Sequence, residues 1–425
     1  MLAEKSGVQL AISDAELREM IRAALDKIGG NYKKVLLVPP DFTRFNSYAG
    51  PITAMAYEML KDRAKIDIIP ALGTHVAMTE QEIRTMFGPD IPLDAFVVHG
   101  WRNEVVRKGV VPGSLISDWS EGRVDYEVNV EVNKILFEGY DLILSIGQIV
   151  PHEVVGMANY TKNLMVGIGG SDIINKSHFL GAVYNMERLM GQADSPVRKL
   201  FNYGVKTYLP DLPVYYMLTV MARNNDTGKM EMRGFFAGDD DECFLKGCKL
   251  SQQTNLELLD KQLRKVIVYL DPEEFKSTWL GNKAVYRTRM AIADAGELIV
   301  LAPALREFGE DKEIDRLIRK YGYKGTPATL QAVKDNEELR NNLGAAAHLI
   351  HGSSEGRFKI TYCPGPNISR DEIEGVGFDW GCLETMMEQY QVANLKDGFN
   401  TVNGEDVFYI SNPALGLWAW KEKFK

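Results

Sequence analysis

Three histidines of this chain stand where side chains could do proton or metal chemistry. His75 follows Gly73-Thr74, His152 follows Pro151, and His178 comes soon after the turn Gly167-Ile168-Gly169-Gly170-Ser171-Asp172. An imidazole titrates near neutral pH and serves as general acid or base, and its bare nitrogen binds Ni, Zn or Cu. Two histidines on either side of one carbon are what inversion of a stereocentre requires, because each removes a proton from one enantiomer and returns one to the other. Charged groups keep them company: Asp41 and Arg44 in Pro39-Pro40-Asp41-Phe42-Thr43-Arg44, and Lys162 in Asn159-Tyr160-Thr161-Lys162-Asn163. An arginine so placed could clamp a carboxylate or phosphate through its planar fork. The glycine turn looks like a phosphate cradle, a weak signal on its own. Each piece also has a plainer reading. Asp41 and Arg44 could be a surface pair capping a helix, His75 an idle loop residue, and His178 a helix histidine with its hydrogen bond satisfied.

The elements that must position these residues are short apolar runs alternating with helical patterns. Strands are expected at Lys34–Val38, Ile66–Leu72, Ala95–Val98, Leu142–Ile146, Val266–Leu270, Leu298–Ala302 and Phe358–Cys363. Helices are expected at Asp14–Ile28, Pro51–Arg63, Thr79–Phe87, Leu256–Lys265, Asn282–Ala295, Asp311–Tyr321 and Thr326–Leu349, with a capping box formed by Thr79 and Glu82. Runs this short and β-branched read as buried strands of parallel sheets. The fold class is therefore α/β: two Rossmann-like parallel-sheet domains with an interdomain cleft. In such sheets ligands bind beyond the carboxyl ends of the strands, where strand order reverses. Asp41 and Arg44, His75, and His152 follow three of these strand ends, and that convergence favours a site over coincidence. The domain reading is 1–265 for the part carrying the motifs, 266–400 for a part closing the site, and 401–425 for a tail packing back on the body. The stretch Arg223–Lys249, with its acidic run at 239–242, reads as a solvated loop or edge hairpin.

Composition narrows the classes. With 425 residues two domains are the first expectation, and 45% hydrophobic and 25% charged residues are ordinary globular values. A net charge of −9 makes nucleic acid and anionic membranes poor partners. Four cysteines without a CxxC pair argue for reduced thiols and a cytoplasmic location. The acidic N-terminus is no secretory signal, and no apolar run reaches about 18 residues, the length of a membrane span.

Taken in order, PPDxTR, GTH, PH, a lysine ten residues after that histidine and a histidine sixteen residues after the lysine resemble the nickel-pincer lactate racemase family. The resemblance is best from about residue 34 to 200 and continues weakly to about 390. It implies a pyridinium-3,5-bisthiocarboxylic acid mononucleotide, carrying nickel and joined to Lys162 through a thioamide, with His178 as the protein's nickel ligand. It implies His75 and His152 as paired acid/bases, and Arg44 as the clamp on the substrate carboxylate. Asp41 and Thr74, with the Gly169-Gly170-Ser171 turn, would help to hold the cofactor. The hydroxyl proton would go to one histidine while hydride leaves C2, and the flat 2-keto acid would take hydride back on either face. Partners would be a small 2-hydroxy acid and the enzymes that make the cofactor.

Two departures shift the substrate expectation. Lactate racemases usually carry Gly-Gly-Arg before the tethering lysine, where this chain has Asn159-Tyr160-Thr161. Their second domain contributes a Gln and a Lys on a helix; the corresponding stretch here, Asn341–Gly352, has His348 and His351 instead. At least one of them is expected to face the cleft and read the distal end of a longer or more hydroxylated acid, such as a sugar acid, and their spacing of three should point both the same way. Trp380 reads as core. The rival readings are a zinc hydrolase using His75, His152 and His178, an organic-acid-binding homologue without catalysis, and an NAD-dependent dehydrogenase, the last lacking a GxGxxG after any strand.

Overall fold

The alternating pattern folds into two units, each on a six-stranded sheet. The computed structural model describes residues 1–224, 227–309 and 311–424; positions 225 and 226 of the acidic stretch, position 310 and the terminal position 425 lie outside the described residues. One unit comprises Met1–Leu180 and Arg188–Asn255. The other comprises Gly181–Glu187 and the chain from Leu256 on. The α/β class with parallel sheets holds for both.

The first unit's strands are β1 (Ala3–Ser6), β2 (Lys34–Val38), β3 (Lys65–Ile68), β4 (Leu142–Gln148), β5 (Val214–Arg223) and β6 (Met230–Gly238), in spatial order β1-β6-β5-β4-β2-β3. Pairs β2–β3, β2–β4 and β4–β5 are parallel, while β5–β6 and β1–β6 are antiparallel. Val35, Leu36, Leu37 and Val38 are fully buried, as a strand covered on both faces must be. The covering helices are legible locally. In α1 (Asp14–Ile28), Leu17, Ile21, Ala24 and Leu25 form one buried stripe, and Ser13 with Glu16 makes a capping box. α2 (Ala49–Leu60) follows β2, and α3 (Glu80–Phe87) follows β3 with the expected capping box of Thr79 and Glu82. Later helices that matter to the site are α4 (Ser171–Tyr184), α5 (Pro196–Tyr208) and α6 (Asp241–Thr254).

The second unit holds β7 (Leu263–Tyr269), β8 (Ile292–Ala302), β9 (Lys359–Pro364), β10 (Asp379–Trp380), β11 (Gly398–Val402) and β12 (Glu405–Ile410), in order β10-β9-β8-β7-β12-β11. All neighbours are parallel except β11–β12. Residues 401–425, read as a tail, supply β12 to the interior of this sheet, and Trp418–Trp420 pairs in parallel with Glu257–Leu259. α7 (Leu343–His351) carries the two later histidines.

Several local readings are corrected. Ala95–Val98 makes no strand; Leu93–Ala95 is a 3-10 turn and Phe96 forms only one bridge, to Ile68. Leu256–Lys265 is no helix, because Leu259 and Leu263 are buried by strand pairing, the former beside a partner about 160 residues away that local periodicity cannot reveal. Asn282–Ala295 stops being helical after Thr288, where β8 takes over. Thr326–Leu349 breaks into three helices at Asn336 and Asn342, and the Asn342 side chain caps α7 by accepting from the Ala345 N–H. Arg223–Lys249 is largely ordered: it contains all of β6 and most of α6, and Asp240 of its acidic run caps α6.

Candidate active site

Strand order places the site. From β2 the chain passes to β3 on one side and later returns to β4 on the other, so order reverses at β2. Loops after these three strands lie together at the sheet's carboxyl edge, where sheets of this kind bind their ligands. The loop after β2 brings Asp41 and Arg44, the loop after β3 brings His75, and the hairpin after β4 brings His152. With β2 between them, β3 and β4 lie about 10 Å apart at the usual strand spacing.

Hydrogen bonds set each imidazole's proton. His75 Nδ1–H donates to Asp41 Oδ2 at 2.6 Å, and Thr43 Oγ1 donates to Asp41 Oδ1 at 2.5 Å. Burial opposes charge on Asp41, but these bonds and the Arg44 cation hold its pKa below the ordinary value. Asp41 therefore stays ionised and holds the proton of the neutral His75 ring on Nδ1, so that in this tautomer Nε2 is the bare nitrogen, on a side chain 49% exposed. His152 has the opposite polarity: its Nδ1 accepts the Val154 N–H at 3.1 Å, which puts the proton of the neutral ring on Nε2. Burial pushes its pKa well below 6.5, Lys162, Arg44 and His178 push the same way, and Glu153 opposes them. His178, on α4, donates Nδ1–H to the Ile174 carbonyl at 2.6 Å, so its Nε2 is free to ligate a metal. Among the described residues no three His, Cys, Asp or Glu side chains are grouped to hold a metal ion. A metal at His178 must take most of its ligands from elsewhere, and the three-histidine set of the zinc-hydrolase reading is not assembled.

Lys162 sits at the start of a π-helical turn, Asn163–Gly167. Such turns are rare and concentrate at functional sites. The Asn163 amide donates to the Val38 carbonyl at 2.9 Å and to Ser145 Oγ at 3.0 Å, which pins the turn over the β2–β4 seam. Gly73, at φ 59°, donates its N–H to the Gly167 carbonyl at 2.8 Å, joining the His75 loop to the same turn. Half-buried Lys162 has no hydrogen bond or ion pair among the described residues, and burial, with Arg44 next, lowers its pKa to about 8. Among the described residues Arg44 likewise has no ion pair, and Asp41 pairs with His75, so the capping-pair reading of Asp41 and Arg44 falls away. Asn163, Glu153 and the buried Arg198 were not singled out from sequence; Glu153, beside His152, was the one with a local signal.

The glycine turn serves another purpose. The Gly170 N–H and Asp172 N–H donate to the backbone oxygen and Oε2 of Glu131, and the Gly169 carbonyl accepts from His99 Nε2 at 3.0 Å. A Cβ on Gly169 would lie 1.8 Å from the Met165 carbonyl, and one on Gly170 would lie 2.4 Å from Glu131 Oε2. The glycines are required by close packing, and a carboxylate stands where a phosphate was expected. Ser171 is half-buried and Thr74 exposed.

His348 and His351 are buried in the second unit. His348 Nε2 bonds Tyr323 Oη at 3.0 Å and its ring lies 4.4 Å from that of Trp279, so the expected substrate contact gives way to a core role. Trp380 is half-buried beneath the Arg370 guanidinium. Burial, with His351 nearby, drives the His348 pKa to about 3. The unfolded state then binds the extra proton between pH 6.5 and 3, so this contribution is present above 6.5 and is lost as pH falls. The expected loss between pH 7 and 4.5 is about 2–3 kcal/mol. Thermal unfolding at the two pH values should show a drop that His348→Gln reduces; an equal drop in both proteins would assign the acid sensitivity to other groups.

Parallel-sheet α/β units, the first carrying this set of side chains, are also the architecture of known relatives. Residues 3–191 match the lactate racemase N-terminal domain. A curated relative, lactate racemase of Thermoanaerobacterium thermosaccharolyticum, is 24% identical over 325 residues, spanning 72% of this chain and 70% of that protein. The solved apoprotein of lactate racemase from that organism superposes with a TM-score of 0.71 at 17% identity, covering 98% of this chain and 94% of the other. A crystal structure of a Thermotoga maritima protein gives a TM-score of 0.80 at 22% identity, covering 97% and 99%. The resemblance to lactate racemases read from the motifs is thus borne out, and the two structures share the fold. No helix among the described residues is long and apolar enough to cross a membrane.

Proposed function

We propose that this chain is a racemase or epimerase that inverts C2 of a 2-hydroxy acid, using a nickel-pincer nucleotide attached to Lys162. The observation that carries the reading is the polarity of the two imidazoles, a bare Nε2 on His75 and a protonated Nε2 on His152. The residues fit the cofactor: Lys162 is an unpaired lysine poised to lose its proton, and His178 offers one free nitrogen. When bound, the cofactor would supply a hydride acceptor for C2.

The protein's part is positional and protonic. Arg44 takes the substrate carboxylate with its unpaired fork. In one direction His75 accepts the hydroxyl proton, and ionised Asp41 stabilises the resulting imidazolium. His152, protonated at the start of that direction, returns a proton to the keto oxygen once C2 is re-formed on its other face. The reverse direction exchanges the two roles, and for it the neutral His152 ring must carry its proton on Nδ1, giving up the Val154 N–H bond so that Nε2 is bare. For His152 to carry that proton its pKa must rise and its Nδ1, an N–H in the cation, must release the Val154 N–H. Of the groups that depress it, Lys162 loses its charge on attachment and Arg44 is offset by the bound carboxylate. Glu153 beside His152 favours hydroxyl-bearing substrates over a second carboxylate, which supports a sugar acid or similar polyol acid. Cofactor-synthesis enzymes would be required partners.

The test is a panel of single-enantiomer 2-hydroxy acids and aldonic acids, incubated with cofactor-loaded protein and resolved by chiral chromatography. We expect inversion at C2 of at least one acid without loss of the hydroxyl. Bound acid without inversion would favour the binding-protein reading.

A further inference from the structure

The segment leading into Lys162 adopts a conformation that most residues avoid. Asn159 and Tyr160 are both left-handed, at φ 62° and 60°. Such backbone persists only where neighbours impose it. Here the neighbours come largely from α5. Arg198, 3% exposed, donates to the Met157 carbonyl at 2.6 Å, the Asn159 carbonyl at 3.1 Å and Thr161 Oγ1 at 2.8 Å. Its guanidinium lies 4.3 Å from the centre of the Phe244 ring and has no carboxylate partner among the described residues. Ser195, capping the same helix, donates to the Val155 carbonyl at 2.9 Å. Tyr160 is stacked on Phe244, and its hydroxyl donates to Asp241 at 2.9 Å.

A buried cation without a counter-ion is costly, and a lysine or neutral residue cannot reach three oxygens in one plane. We propose that Arg198 is a positioning residue for Lys162, its fork holding Met157–Thr161 in the left-handed turn that presents the lysine amine for covalent attachment. The purpose of the turn rests on the reading of Lys162 as the attachment point; the positioning does not. The charge of Arg198 acts in the same direction. After burial, Arg44 and Arg198 favour the neutral amine, while Glu153 and Asp41 oppose them. His152 and His178 are also electrostatically coupled to the amine.

The experiment uses unloaded full-length protein. Lys162 is acylated with an N-hydroxysuccinimide ester from pH 6 to 10 and followed by peptide mass spectrometry, with amide hydrogen exchange measured over residues 157–163. Wild type should show a reactivity midpoint near pH 8. Arg198→Met should raise it by roughly one pH unit and speed exchange on the order of tenfold. Arg198→Lys should keep the midpoint near wild type but lose the exchange protection. Guanidinium ion added to Arg198→Ala should restore both. An Arg198→Met protein with unchanged midpoint and exchange overturns the proposal. If that variant does not fold, unchanged exchange in Arg198→Lys overturns it instead. A protein that behaves as expected but never acquires a covalent cofactor would sink the attachment reading and leave the positioning intact.

Discussion

Lys162→Ala protein should emerge from a cofactor-loading reaction with unchanged intact mass and no inversion above background, while wild type gains a covalent adduct. The amine is the one protein atom in this reading that bonds covalently to the cofactor's organic part, so no neighbour can substitute. Its chemistry also sets the pH response. Attack on an activated carboxyl or thiocarboxyl needs the neutral amine. With a pKa of about 8 in place of 10.5, the neutral fraction at pH 7 is two to three orders of magnitude larger than for a lysine in water. Loading should accelerate from pH 6 to about 8 and level off above it; a rate still climbing tenfold per unit at pH 10 would mean an ordinary lysine. His178→Ala separates attachment from metal. It should keep the adduct but lower nickel content, by on the order of tenfold or more, since even outer partners of a metal ligand are worth that much. Adduct and nickel lost together in that variant would point to misfolding of α4. Adduct and nickel both retained would remove His178 from the metal.

The site was more legible than the frame around it, for a physical reason. Asp41, Arg44, His75 and His152 lie one short loop beyond buried strands, and both the strand signal and the loop chemistry are local. Lys162 and His178 were read by their spacing. What holds them is not local. Arg198 reaches back about forty residues to the turn before Lys162, and Asn163 bonds two strand ends on either side of a seam. No periodicity announces such contacts. The glycine turn misled because glycine is demanded equally by a phosphate and by a neighbouring backbone, and only the Met165 carbonyl and the Glu131 carboxylate decide between them. His348 and His351 misled in a similar way. Spacing of three puts two histidines on one helix face, but Trp279 and Tyr323, which claim His348, come from other elements. The pair β5 and β6 was not read as strands because the polar residues between them dominated the composition of the stretch.

Each of His75→Ala and His152→Ala should reduce steady-state inversion by about two to four orders of magnitude, the usual cost of a lost general base. The informative measurement is narrower. Keto-acid formation in a single turnover, starting from each pure enantiomer, should fail from one enantiomer in His75→Ala and from the other in His152→Ala. Asp41→Asn should follow His75→Ala in direction at smaller amplitude, because an amide leaves the imidazolium of His75 without its counter-charge. The same logic sets the sign of the pH dependence. The direction that begins with protonated His152 is limited by a group whose pKa lies below 6.5 in the unloaded chain, so it should slow as pH rises above that pKa. The opposite direction needs His152 neutral and should hold its rate at higher pH. Wild-type profiles taken separately in the two directions should therefore diverge on the alkaline side. Nickel content and adduct mass should be unchanged in both histidine variants. Loss of the same enantiomer in both, or identical pH profiles in the two directions, would mean that a single base serves both faces of the substrate.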